Sequence, residues 1–107
     1  MSRKEVTNHF LKFVKAVISR PGMFLVNNVE DLTLIIFGYK TGISYHMEDY
    51  VFIDEMMNEF KKYINIHFKT NEDIEWARLI RFHCVSDAAT LDFFNFKFNE
   101  FISEFEK

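Results

Sequence analysis

At 107 residues the chain has room for one domain with a single core, and its 49% hydrophobic and 18% aromatic content excludes a disordered protein. One cysteine excludes an intramolecular disulfide, and no apolar run is long enough for a signal peptide or a bilayer span, so we expect a cytoplasmic protein with no membrane segment. The net charge of −3 argues against nucleic acid as the main ligand, and the 14 Phe residues predict some rings at the surface.

The first predicted helix runs from Arg3 to Ser19. Ser2 and Glu5 have the spacing of a capping box, and apolar residues then recur at intervals of three and four. Pro21 is expected to end the helix, because a proline disfavours the helical conformation of the residue before it. Gly22 is expected to let the chain turn.

The second predicted helix begins after Asn28, a good N-cap residue, and continues to about Ser44. Its consecutive apolar residues 34–37 would also suit a strand, but the length of the pattern favours a helix buried on most sides. Gly38 and Gly42 lie four residues apart. We therefore expect a smooth face there that another helix can approach closely.

The third predicted helix spans roughly Glu48 to Ile64, and its inward residues are expected to be Phe52, Met56, Phe60, Tyr63 and Ile64. The fourth is expected to begin at Thr70 or Asn71, which would place three acids at its positive end: Glu72, Asp73 and Glu75. Its lining residues would be Trp76, Leu79, Ile80 and His83.

The last predicted helix is capped by Ser86 or Asp87. Its apolar stripe consists of Leu91, Phe94, Phe98, Phe101, Ile102 and Phe105. There is no internal repeat and no linker. The sequence therefore predicts an all-α fold, a compact single domain over residues 1–107 with about five helices.

The charge is concentrated in residues 41–60, a run with five acids, two tyrosines and no Lys or Arg. An acidic patch edged by aromatic rings suits docking onto a basic partner. We take as candidate partner-binding residues Tyr45, Glu48, Asp49, Tyr50, Asp54, Glu55 and Glu59.

A solvated helix face is an equally good interpretation of this patch. Glu48 and Asp49 then only offset the dipole at a helix start. Asp54 and Glu55 fit that interpretation less well, since no base stands three or four residues from either. Both interpretations stay open on the sequence alone.

Nothing in the sequence forms a catalytic, cofactor or metal motif. The four histidines lack the spacing of paired ligands on a helix, and the three glycines do not form a phosphate loop. His83 lies on an apolar face, which predicts a hydrogen-bonded core histidine, and Cys84 is read as a small buried apolar residue. We expect a protein that is not an enzyme and needs no cofactor or metal; catalysis by Cys84 or His83 is the third-ranked hypothesis.

Several segments carry a resemblance to a known group of proteins. They are the run from Arg20 to Phe24, the run from Ile36 to Tyr39, Trp76 in a late helix, and the final helix from Phe93 to Ile102. Together they make the chain, from about Phe10 to Phe105, similar to small helical bacterial immunity proteins. These are encoded beside the toxins of contact-dependent growth inhibition and other polymorphic toxin systems.

The resemblance implies an antitoxin-like inhibitor that binds one cognate toxin domain and blocks its active site or substrate groove. Such toxins are often nucleases with basic substrate-binding faces, which would fit the acidic run. It implies no catalytic residue. Separately, the net charge leads us to expect no nucleic-acid ligand, and we expect the free protein to be a monomer or a homodimer. The alternative is a small helical regulator or adaptor that binds a protein, or binds nucleic acid through its first helix, whose bases are Arg3, Lys4, Lys12, Lys15 and Arg20.

Overall fold

A computed structural model of the chain describes residues 2–105. Within that range the chain forms five α-helices: α1 (Arg3–Ser19), α2 (Val29–Gly42), α3 (Met47–His67), α4 (Trp76–His83) and α5 (Asp87–Phe105). A 3₁₀ turn, Pro21–Phe24, joins α1 to α2. The predicted all-α bundle of about five helices is confirmed. Among these five helices none combines the length and the apolar character needed to cross a membrane.

The bounds and the N-terminal cap of α1 are as predicted. The Ser2 hydroxyl oxygen accepts a hydrogen bond from the Glu5 amide at 3.2 Å. The chain turns at Gly22 as expected, but the left-handed residue of this turn is Leu25, with φ of 59°. The turn starts at Pro21 as a 3₁₀ helix, and the Pro21 carbonyl accepts a hydrogen bond from the Val26 amide at 2.9 Å. The left-handed conformation therefore falls at the end of the turn and not at its start.

The predicted start of α2 is confirmed, since the Asn28 side chain accepts from the Asp31 amide at 2.8 Å. The prediction that α2 is buried on most sides is wrong. Leu34 is 69% exposed and Phe37 is 68% exposed. The helix buries one stripe against the core, and the buried residues of this stripe are Val29, Leu32 and Ile36.

The close helix approach predicted at Gly38 and Gly42 is also wrong. Both residues are exposed, and a Cβ placed on either would meet no atom within 4 Å. The spacing of four puts them on the same face as Leu34. That face points to solvent, so the two glycines serve no packing role here.

Helix α3 is the centre of the bundle and packs against each of the other four helices. Phe60 lies in the second half of this helix and is fully buried. Four rings meet the Phe60 ring edge-to-face at centroid distances of 5.2 to 5.5 Å: Trp76, Phe94, Phe98 and Phe101. This geometry is the favoured one for aromatic pairs, and it ties α4 and α5 to α3 through one side chain.

The inward face of α3 differs in part from the prediction. Met56, Phe60 and Ile64 are buried as expected, whereas Phe52 and Tyr63 are only half-buried. Two residues that were not predicted, Ile53 and Met57, are also buried. These additional residues are buried because α3 contacts neighbours on more than one side. The helix is also longer than expected at both ends.

The predicted start of α4 at Thr70 or Asn71 is wrong, since the helix begins at Trp76. The preceding segment is held in an irregular path by Asn65 of α3. The Asn65 amide nitrogen donates to the Ile74 carbonyl at 2.8 Å, and its oxygen accepts from the Ile74 amide at 3.3 Å. Two of the three acids expected at the helix start instead pair with Lys61, whose ammonium lies 3.2 Å from Asp73 and 3.1 Å from Glu75.

Helix α5 confirms its predicted cap and stripe. The Ser86 hydroxyl accepts from the Ala89 amide at 3.1 Å. Three residues of the stripe are buried in the core and the others are half-buried against it: Phe94, Phe98 and Phe101 in the first group, Leu91, Ile102 and Phe105 in the second.

Candidate functional site

The corner between α2 and α3 projects two large side chains into solvent. Tyr45 is 80% exposed and Met47 is 67% exposed. A tight turn holds them there, since the His46 amide donates to the Ile43 carbonyl at 2.9 Å and the Tyr45 ring packs on the His46 ring at 4.5 Å. Exposed aromatic and methionine side chains on a rigid turn are typical of protein contact sites.

Two carboxylates sit beside these side chains in the first turn of α3, at Glu48 and Asp49. A helix N-terminus favours negative charge, so both positions suit acidic side chains. Within residues 2–105, neither of the two forms an ion pair. Their charge is therefore available to a partner.

The corner opens onto a groove of about 560 Å³. Its walls come from α1, α2 and the start of α3, and its described lining residues include no Lys or Arg. They are Val6, His9, Tyr39, Ile43, Tyr45, His46, Met47, Glu48 and Asp49. The groove thus combines apolar, aromatic and anionic surface in one concave site.

Tyr39 gives the groove a rigid floor. Its ring packs between Phe10 and Phe13 of α1, at centroid distances of 5.2 and 4.9 Å. Burial raises the pKa of the Tyr39 hydroxyl, and the negative charge of Asp49 raises it further. The hydroxyl therefore stays neutral at physiological pH and serves as a hydrogen-bond donor or acceptor.

The other three acids of the run are already paired with bases. Lys40 of α2 lies 2.6 Å from Asp54, and Arg3 of α1 lies 3.1 Å from Glu55. Glu59 is paired within α3 to Lys62, at 3.2 Å. The acidic run therefore divides into two groups. Glu48 and Asp49 at the corner form no ion pair within residues 2–105, and the other three acids are each paired with a base.

Tyr50 also differs from Tyr45 in its surroundings. It is half-buried, and the Lys40 ammonium lies 5.3 Å from the centre of its ring. Tyr45 is therefore the more accessible of the two predicted anchors. The partners of Asp54, Glu55 and Tyr50 come from α1 and α2, so no spacing within α3 reveals them.

Sequence reasoning missed several lining residues of the groove, among them His9, His46 and Tyr39. His46 adjoins the acidic run and was detectable from that position alone. His9 and Tyr39 carry no such signal, because only the packing of α1 and α2 brings them to the corner. Within residues 2–105, no three His, Cys, Asp or Glu side chains are arranged to hold a metal ion, and this applies to the groove as well.

The residues considered for catalysis lie elsewhere, at the end of α4. The prediction of a core histidine is wrong, since the His83 side chain is exposed and stacks on Phe68 at 3.9 Å. Its Nδ1 lies 3.0 Å from the Leu79 carbonyl oxygen. Cys84 is half-buried, and burial raises the pKa of its thiol, which disfavours the nucleophilic thiolate.

The chain is thus a small helical domain with a concave, anionic and partly apolar groove at the α2–α3 corner. Neither a family model, nor a curated protein, nor a solved structure matches the chain.

Proposed function

We propose that the protein is an inhibitor of the immunity type, which binds a cognate toxin domain one to one and covers its basic active site or substrate groove. The observation that carries this proposal is the α2–α3 corner, where two exposed apolar side chains and two unpaired carboxylates share one groove. The resemblance described above supports it.

The division of the acidic run sharpens the proposal. Glu48 and Asp49 supply the charge that steers a basic partner into register, because neither pairs with a base in the described part of the chain, residues 2–105. Tyr45 and Met47 supply the contact area, since binding energy concentrates in a few such side chains near the centre of an interface. Asp54, Glu55 and Glu59 lie further along α3, outside the groove, and add a weaker field because each is paired with a base.

The first experiment uses the protein as bait in its native cells, followed by mass spectrometry of what it retains. We expect one partner at about one to one whose purified form loses its toxic activity when this protein is added. Retention of nucleic acid by the isolated protein, with strong salt dependence, would instead support the regulator hypothesis. Full activity of the partner in a stable complex would contradict inhibition.

The second experiment measures association of the complex. The double variant Glu48→Gln/Asp49→Asn is expected to lower the association rate constant about fivefold to tenfold at low salt, and to flatten its salt dependence. The matched control is Asp92→Asn/Glu104→Gln, which removes the same charge from exposed positions on α5. Equal rates for the two double variants would show that the location of the charge is irrelevant.

A third measurement, of the dissociation rate constant, tests the contribution of the aromatic contact separately from that of the charges. Tyr45→Ala is expected to raise the dissociation rate constant at least about thirtyfold, as the loss of a central aromatic anchor costs about 2 kcal/mol or more. Tyr50→Ala is expected to have a smaller effect, because Tyr50 is half-buried beneath Lys40. The opposite order would place the contact along the middle of α3 instead of the corner.

A further inference from the structure

A second groove separates α1 from α5. These two helices are not among the helix pairs that pack closely, and the space between them has a volume of about 410 Å³. The helices run antiparallel, because Phe105 at the end of α5 shares a depression with Arg3 and Lys4 at the start of α1. The lining extends over 8–18 of α1 and 94–103 of α5, which is about 15 Å, or three helical turns.

The floor of this groove is apolar and shallow. Its residues come equally from the two helices: Leu11, Val14, Ile18, Phe94, Phe98 and Ile102. Val14, Phe94 and Phe98 are at most 5% exposed, so no slot leads into the core. An occupant would therefore lie along the groove and contact mainly Leu11, Ile18 and Ile102.

The rim of the groove is cationic on one side and neutral on the other. Lys12 and Lys15 of α1 form one edge, and Asn95 and Asn99 of α5 form the other. Neither lysine is in an ion pair within residues 2–105, and the described lining residues include no Asp or Glu. The charge of this edge is therefore complementary to an anionic occupant.

The shape distinguishes between anionic occupants. A small amphiphile needs a site that encloses most of its surface, and this groove is open along its length. A helix needs only a strip that accepts apolar side chains spaced by three or four residues, and three turns of groove provide it. We propose that the α1–α5 groove docks an acidic amphipathic helix of a partner protein.

In that arrangement the apolar stripe of the incoming helix covers the floor, and its Asp or Glu side chains pair with Lys12 and Lys15. The amides of Asn95 and Asn99, which bond to each other at 3.2 Å, meet its polar flank. This surface is separate from the α2–α3 corner, since the two grooves lie on either side of the buried face of α1. The proposal therefore does not depend on the proposed inhibition.

The test uses a synthetic helical peptide of about 14 residues, with Leu recurring every three or four positions and Glu on the flanks. A matched peptide carries Lys in place of every Glu. Nuclear magnetic resonance titrations of the full chain are expected to shift signals of Leu11, Ile18 and Ile102 with the acidic peptide, and to show no saturable binding of the basic one.

Variants of the protein locate the site. Lys12→Glu/Lys15→Glu is expected to weaken binding of the acidic peptide about tenfold, on the scale of two exposed ion pairs. Lys69→Glu/Arg78→Glu makes the same change of charge at exposed positions outside the groove and is expected to leave binding unchanged. These variants alter exposed charges and leave the core residues in place.

Four results would overturn the proposal: no saturable binding of the acidic peptide, equal binding of both peptides, equal effects of the two double variants, or shifts outside the groove. Two further results would assign a different occupant to the groove and would also overturn the proposal. Saturable binding of sodium decanoate at these residues without peptide binding would mark an amphiphile site. Concentration-dependent dimerisation through the same signals would make a second copy the occupant.

Discussion

The Val29 amide, at the first turn of α2, donates a hydrogen bond of 3.2 Å to the hydroxyl of Thr90 on α5. Both residues are completely buried, and the same hydroxyl donates to the Asp87 carbonyl at 2.6 Å. The first amides of a helix have no partner within the helix, and here one of them would otherwise be buried without one. A side chain 61 positions away therefore completes the start of α2.

Replacement of Thr90 by Val is expected to cost about 1–3 kcal/mol, because it leaves the buried Val29 amide without an acceptor. Urea unfolding at neutral pH measures this cost. Thr33→Val is the control, since the Thr33 hydroxyl bonds only the Glu30 carbonyl of its own helix. Equal losses for the two variants would refute a special role for Thr90.

Asn65→Ala is expected to cost about 2–3 kcal/mol, because three hydrogen bonds to backbone are lost and each contributes about 0.5–1.5 kcal/mol. Hydrogen exchange of the Ile74 amide should also speed up more than the global loss of stability explains. Asn58→Ala removes an exposed amide from the same helix and serves as the control. Unchanged protection of Ile74 would show that the segment before α4 is held by other contacts.

Phe60→Ala is expected to cost about 3–5 kcal/mol, the usual range for loss of a fully buried ring. Four ring contacts disappear with it, so the variant should also lose near-ultraviolet circular dichroism. Phe82→Ala removes a ring that is 83% exposed and should stay within about 0.5 kcal/mol of the parent protein. A small effect at Phe60 would contradict its central place in the core.

Arg81→Gln tests an ion-pair network that joins the starts of α2 and α5. The guanidinium lies 2.7 Å from Glu30 and 2.5 Å from Asp87, and these bonds lower the pKa of both carboxyl groups. A lowered pKa gives stability that is present above the unfolded value and is lost as pH falls through the folded one. The deficit of Arg81→Gln relative to the parent protein is therefore expected at pH 7 and should shrink below about pH 4.5.

The loss at pH 7 should be small, because all three groups are partly exposed and solvent screens them. Arg78→Gln removes an exposed arginine from the same helix and should show no such pH dependence. A deficit that stays constant from pH 7 to the acid transition would assign the effect of Arg81 to packing.

The surroundings of the Tyr63 hydroxyl predict that the folded state loses stability at alkaline pH. Burial raises the pKa of its hydroxyl above the ordinary value of 10.0, and its hydrogen bond to Glu100 raises it further. A raised folded pKa means that the stabilisation is complete below the unfolded pKa and is lost as pH rises towards the folded one. Tyr63→Phe should be less stable at pH 7 and should lose less stability from about pH 9 to 11.

Tyr45→Phe is the control for this experiment, since Tyr45 is 80% exposed and lies outside the core. It should keep the alkaline slope of the parent protein. Part of that slope should remain in Tyr63→Phe, because burial also raises the pKa of Tyr39. Identical slopes for Tyr63→Phe and the parent protein would disprove the contribution of Tyr63.

The sequence predicted the features of this protein that neighbouring residues decide. Proline at position 21, the caps at Ser2 and Asn28, and the Phe stripe of α5 act over one or two turns, so they are visible in the printed chain. These local signals were enough for the helix count and the all-α class.

The errors arose where distant residues decide the outcome. Asn65 overrides the local signals for an early start of α4, and the core turns the glycine face of α2 towards solvent. The candidate site shows the same limit. The acidic run was visible in the sequence. Only the tertiary structure decides which of its acids pair with Lys40 and Arg3 and which, within residues 2–105, remain unpaired at the corner. The reason is that an ion pair depends on the distance between two groups in space and not along the chain.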